Sequence, residues 1–176
     1  MPFRLEILDT ADEIGAPLRR ALTDSWFEVA NEGGAIGFAA PPVPAAAVEA
    51  AMERLLLTVR PGRTSLIVAR DGDEVAGWVA LVRNPNPLLA HWATVSRLQT
   101  RRLWRGQGLA TELLDRLERM AHDDGLERLR LTARSGTGLD EFYAQRGWRE
   151  VGRFPAALRV APGDDRDEII MAKELR

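Results

Sequence analysis

The most constraining feature of this 176-residue chain is the run Arg105-Gly106-Gln107-Gly108-Leu109-Ala110. It opens a stretch in which Leu109, Leu113, Leu114, Leu117, Met120 and Ala121 fall on one helical face, and Gly125 stands where such a helix ends. Before the run, Ala90 to Gln99 alternates in the manner of a strand. After it, Leu126 to Ala133 places Leu129, Leu131 and Ala133 on alternate positions. Residues 90–133 therefore read as strand, helix and strand, with the helix over Gly106 to Asp124. A right-handed crossover of this kind lays its two strands parallel, and the chain must build an α/β sheet around them.

The remaining segments supply the rest of that sheet. Phe3 to Leu8 alternates in part and is followed by Asp9-Thr10-Ala11-Asp12, which suits a capped helix start. Ile14, Leu18, Leu22, Trp26 and Val29 recur at helical spacing, and Glu32-Gly33-Gly34 breaks the helix near Asn31. After Pro41, Pro42 and Pro44, the residues Val48, Met52, Leu55, Leu56 and Val59 mark a second amphipathic helix, which Pro61-Gly62 stops. Ser65 to Ala69 and Glu74 to Val82 read as a hairpin turning at Asp71-Gly72, and Asn84-Pro85-Asn86-Pro87 interrupts regular structure. Thr137 is placed to cap a short helix that runs to Arg146, with Asp140 in a capping-box-like position and Gly147 beyond its end. Segments 149–160 and 166–173 read as closing strands. The predicted order is βααβββαβαββ, an α/β fold with one central mixed sheet, about four helices and a single domain over residues 1–176.

Composition narrows the function. Hydrophobic residues at 45% and charged residues at 28% describe a soluble globular chain. A net charge of −2 and a pI near 5.8 give no overall attraction to nucleic acid or an anionic membrane, so neither partner is expected. The absence of cysteine removes disulfides, thiolate metal ligands and a thiol nucleophile. No stretch approaches the roughly 18 apolar residues of a membrane span, and acids recur from Met1 to Glu13, so a cytoplasmic location is expected. His91 and His122 are too few for a histidine-rich metal site, and no metal is expected.

A glycine-rich loop that opens a helix lets backbone N–H groups converge on an anion, and the helix dipole adds positive potential there. Gly106 and Gly108 permit that approach, with Arg101, Arg102 and Arg105 close by; a pyrophosphate suits the loop. The bland alternative is that two glycines ease a tight turn and the arginines are solvated. A dinucleotide-binding loop needs a third glycine where Thr111 stands, and a Walker loop needs a lysine that this region lacks.

Arg105, Gly108 and Ala110 satisfy the pattern [QR]-x-x-G-x-[GA], and Phe142-Tyr143-Ala144-Gln145-Arg146-Gly147-Trp148 follows at a suitable separation. In both motifs the chain resembles the GNAT acetyltransferase superfamily. Gly33-Gly34-Ala35-Ile36-Gly37-Phe38, His91, Gly152-Arg153-Phe154-Pro155 and Pro162-Gly163 are similar to features of its tabtoxin-resistance-like branch. The resemblance implies acetyl-CoA as co-substrate, with Leu98, Gln99, Thr100, Arg105, Gly106, Gln107, Gly108, Leu109, Ala110 and Thr111 as its binding residues. It also implies that Tyr143 is the general acid for the departing thiolate and that the Leu98 N–H polarises the thioester carbonyl.

The acid that many superfamily members place before the cradle is missing from Ala93-Thr94-Val95-Ser96-Arg97, and Thr132 stands where the branch has another. His91, with an intrinsic pKa suited to proton transfer, is the leading candidate base, and Glu28 and Glu32 are alternatives. Trp26 and Asn31 are candidate acceptor-binding residues. The implied reaction is direct attack by a primary amine, most simply a small molecule, in a ternary complex; a homodimer is compatible with it. The competing expectation is a CoA-binding sensor or interaction module that has lost catalysis.

Overall fold

The computed structural model describes residues 3–175. Its strands are β1 (Arg4–Leu8), β2 (Thr64–Asp71), β3 (Glu74–Arg83), β4 (Trp92–Thr100), β5 (Arg128–Arg134), β6 (Arg149–Ala161) and β7 (Asp164–Glu174). The helices are α1 (Ala16–Asn31), α2 (Ala45–Leu56), α3 (Leu109–Asp123) and α4 (Leu139–Ala144). Their order in the chain is the predicted one. The strands form one seven-stranded sheet ordered β1-β2-β3-β4-β5-β7-β6, in which only β4 and β5 run parallel.

Two apolar layers clothe the sheet. On one face α3 and α4 bury Leu109, Leu113, Leu117 and Tyr143 against Ile67, Val79, Val95 and Leu129. On the other, α1 and α2 bury Leu22, Trp26, Val48 and Met52 against Leu66, Val68, Trp78 and Ala80. Alternate residues of β2 and β3 face opposite layers, so both strands read as nearly continuous apolar runs. The hairpin between them closes with Asp71 opposite Glu74 around Gly72 and Asp73.

Several boundaries differ from the sequence reading for physical reasons. Thr10 and Glu13 cap a separate 3-10 turn at Ala11–Glu13, and α1 begins after Gly15 with Pro17 in its first turn, so Ile14 precedes α1. Val59 lies beyond α2, which ends at Leu56. Helix α3 starts at Leu109 because Gly108, at φ +83°, cannot be helical; Gly106 to Gly108 remain loop. The N-cap of α4 is Gly138 at φ +73°, while the Thr137 hydroxyl donates to the Arg134 carbonyl, and the helix stops at Ala144.

The functionally decisive irregularity lies in β4. Three residue steps from Ser96 to Gln99 oppose two steps from Ala80 to Trp78, a bulge with Arg97 at φ +60°. Parallel pairing with β5 runs only from Trp92 opposite Arg128 to Thr94 opposite Arg130. Beyond that point β4 stays on β3 as far as Thr100 and β5 stays on β7 as far as Arg134, so the two strands part into a V.

Candidate active site

The V opens into a cleft of about 760 Å³, within the range of small-molecule sites. One wall is β4 from Thr94 to Thr100 and another is β5 from Leu131 to Arg134. The loop after α1, Glu32 to Ala39, and residues 157–160 of β6 close the sides.

At the upper end of β4 lies the glycine loop. Gly106 and Gly108 both adopt positive φ, and the N–H groups of Gly106 to Thr111 find no acceptor in the protein, among the described residues. An unpaired row of donors at the start of a 15-residue helix is suited to a diphosphate. Nothing lies within 4 Å of a Cβ built on either glycine, so that space is open to a ligand. The Arg105 Nε donates to the Thr100 carbonyl at 3.0 Å and its Nη2 to Glu32 at 2.6 Å, which orients the side chain along the cleft. Of the remaining residues assigned to CoA, Leu98, Gln99 and Thr100 line the cleft. Leu109 is 1% exposed and packs in the core, and Thr111 accepts two hydrogen bonds from Arg146, so both have backbone N–H groups to offer.

Tyr143 reaches the cleft from α4, on the face covered by α3. Its ring packs edge-on to Phe142 and tilted to Trp148, with centroids 5.2 and 5.7 Å away. Burial pushes its phenol up to about 12, so the hydroxyl keeps its proton throughout the neutral range. Its hydroxyl makes no hydrogen bond within the protein, among the described residues.

On the opposite side of the cleft stands Arg97. The bulge turns its guanidinium over the Trp26 ring, 5.3 Å from the centroid, and against Gly37, where any Cβ would collide with it. Burial lowers its pKa, and no carboxylate offsets the cost. Arg134, on the other arm of the V, donates to the Phe38 carbonyl at 2.7 Å and has its Nε buried without a partner. The carboxylates that line the cleft are Glu32, held by Arg105, and Glu168, opposite Arg134 in register.

This geometry has a counterpart in known families. Residues 33–155, which include the loop, the V and Tyr143, match the family model of the acetyltransferase (GNAT) domain. The chain belongs to the GNAT acetyltransferase family. Among solved structures, one from Salmonella typhimurium, given a provisional acetyltransferase name and solved with its cofactor acetyl-CoA, has 18% identity and a TM-score of 0.74 over 100% of this chain and 95% of that one. A ribosomal-protein-alanine N-acetyltransferase from Brucella melitensis has 18% identity and a TM-score of 0.73, covering 99% of this chain and 100% of its own. A structure given a provisional phosphinothricin N-acetyltransferase name has 22% identity and a TM-score of 0.78, over 98% and 99% of the two chains. At these identities the likeness establishes the GNAT fold.

Four sequence-derived candidates lie outside the GNAT cleft. His91 is exposed in the turn before β4, at the end of the strand remote from the bulge, where its carbonyl accepts from the Glu127 N–H. Trp26 is core: 2% exposed, it donates to the Ile36 carbonyl at 3.1 Å and backs Arg97. Asn31 staples the loop to α1 by accepting from the Val43 N–H at 2.8 Å and donating to the Val43 and Phe27 carbonyls. Trp26 and Asn31 thus support the loop that closes one side of the cleft without lining it. Glu28 is turned away to Arg101, at 2.6 Å. Trp104 is buried and donates to Asp71.

Arg97, Arg134 and Glu168 were not singled out from the sequence, and Gly37 only as part of the Gly33 to Phe38 segment. One signal was available for Arg97. The residues of β4 that face α3 are Ala93, Val95 and then Leu98, and the step from two to three marks the bulge. No group of three or more potential metal ligands occurs among the described residues, and no helix among them is long and apolar enough to cross a membrane.

Proposed function

We propose that this GNAT enzyme moves the acetyl group of acetyl-CoA to the primary amine of a small molecule by direct attack within a ternary complex. The observation that carries the reading is a row of unpaired cradle N–H groups directly after Arg105, which lines the same cleft as the only tyrosine of the chain. The cradle, with Arg105, binds the diphosphate, and the parted edges of β4 and β5 hold the arm that leads to the thioester. The Leu98 N–H, in the bulge, polarises the thioester carbonyl in this reading.

When bound, acetyl-CoA supplies an activated acyl carbon and a thiolate leaving group. The free amine attacks that carbon, the C–S bond breaks, the Tyr143 hydroxyl gives its proton to the departing sulfur, and the proton that the new amide nitrogen sheds restores the phenol. Such assistance contributes on the order of 10²–10⁴ in rate. The ammonium form must first lose a proton, and the carboxylates at hand are Glu32 and Glu168 rather than the remote His91. With no cysteine present, direct transfer requires no acyl-thiol intermediate on the enzyme.

The provisional name of the phosphinothricin N-acetyltransferase neighbour agrees with a small acceptor, whereas the Brucella neighbour's name specifies a protein acceptor. An amine screen read by thiol release and by mass detection of the acetylated product tests the proposal. Amine-dependent release with matching product supports it. CoA binding without release across amines and peptides would leave only a binding module.

A further inference from the structure

We infer that Arg97 receives an oxyanion of the acceptor, so that the amine acetylated in this cleft also carries a carboxylate or a similar acidic group. The inference rests on the acetyl-transfer reading for the identity of the site, and it concerns the side of the cleft backed by Trp26.

Arg97 is the side chain that the bulge exists to present. It occupies a left-handed backbone conformation that costs free energy for any residue other than glycine, in a segment that lines the cleft. Its guanidinium is wedged between Trp26 and Gly37, and it forms no ion pair and no hydrogen bond with any described residue. A half-buried guanidinium that faces a cleft without a carboxylate is open to a ligand, and the planar fork of donors matches a carboxylate in two parallel hydrogen bonds.

Arg134 strengthens the case from the other arm of the V. Its one hydrogen bond goes to the Phe38 carbonyl, its Nε is buried without a partner, and Glu168, its neighbour in register, makes no ion pair with it. The other acid of the cleft, Glu32, is committed to Arg105. In the free protein no carboxylate of the cleft answers Arg97, which leaves that place to an anionic ligand. The cradle follows the same end of β4 but opens α3 on the opposite face of the sheet from Trp26, over which Arg97 lies, and the pantetheine arm is uncharged, so the acceptor is the natural source.

The test compares amines that differ only in a carboxylate: phenylalanine with phenethylamine, tryptophan with tryptamine, and histidine with histamine. Each is measured as kcat/KM from thiol release with acetyl-CoA, corrected for the free-amine fraction, and as calorimetric affinity for the CoA-loaded protein. The acid-bearing member of each pair is expected to be favoured by about tenfold or more in both measurements. In R97Q that ratio collapses toward one, and R97K retains part of it. A wild-type ratio near one, no binding of either member, or a ratio unchanged in R97Q overturns the inference. If R97Q does not fold, the wild-type ratios decide alone. Preference for succinyl-CoA over acetyl-CoA without discrimination within the amine pairs assigns Arg97 to the acyl group and also overturns it. Absence of thiol release with every amine defeats the acetyl-transfer reading, while the calorimetric ratio still decides the anion site.

Discussion

The Nη2 of Arg105 donates to the Glu32 carboxylate over 2.6 Å and so ties the rim of the phosphate cradle to the end of α1. Arg105 is 42% exposed and Glu32 23% exposed, so the pair is weak enough to be exchanged for a diphosphate.

The first prediction follows from that exchange. E32Q releases Arg105 and should tighten CoA binding by up to about fivefold, the equivalent of a surface ion pair. R105Q should weaken it, more strongly at low salt. Calorimetry at two ionic strengths checks both. If Glu32 also takes the amine proton, E32Q lowers turnover while binding improves; if Glu168 does, E168Q shows the loss instead.

Tyr143 gives the second prediction. Y143F should reduce kcat by about 10²–10⁴ and leave the affinity for CoA nearly unchanged. Because the chain has only this tyrosine, the near-ultraviolet absorbance of tyrosinate reports it alone. Its folded pKa, about 12, exceeds the ordinary value of 10.0 because the charged form is disfavoured by burial. The contribution of the neutral phenol to stability is thus fully present below pH 10 and is lost as pH rises from 10 towards 12. Tyrosinate should appear in the folded protein only at the top of that window. The rate should show no alkaline loss from Tyr143 at neutral or mildly alkaline pH.

The glycines of the cradle give a third. Nothing meets a Cβ built at Gly108, so G108A in the free protein should cost only the strain of φ +83°, about 1–2 kcal/mol. With a diphosphate approaching the loop, the same methyl group blocks contact. Thermal unfolding with and without CoA should therefore show a modest loss of stability and a much larger loss of the ligand-induced shift.

The fourth prediction concerns the support beneath Tyr143. Glu118 on α3 accepts from Trp148 Nε1 at 3.0 Å and from Lys173 Nζ at 2.6 Å, and Lys173 also donates to the Arg146 carbonyl. E118A leaves a buried indole N–H and a half-shielded ammonium without their acceptor. It should destabilise the protein by about 2–3 kcal/mol in denaturant unfolding.

The fold was legible because its signals are periodic and local. The apolar stripe of α3, the alternation of Leu129, Leu131 and Ala133, and the Asp71-Gly72 turn each report on a few neighbouring residues. The cradle was legible for the same reason. The half of the cleft around Arg97 was not, since it is assembled from α1, its following loop, β4, β5 and β7 by contacts distant in sequence. His91 was attractive for its chemistry alone, and its position at the wrong end of β4 is a matter of strand length and direction. Trp26 and Asn31 were correctly placed on α1, but only the packed structure shows that one backs Arg97 and the other pins Val43. Arg97 was read as one residue of an alternating strand, whereas the bulge changes the face to which it points.

The central claim is direct acetyl transfer in a ternary complex, and initial-velocity measurement of thiol release tests it most directly, with acetyl-CoA and an accepted amine varied together. The account predicts double-reciprocal lines that intersect and a rate that depends on both substrates. Parallel lines, the signature of an acyl-enzyme, or thiol release indifferent to the amine would contradict it.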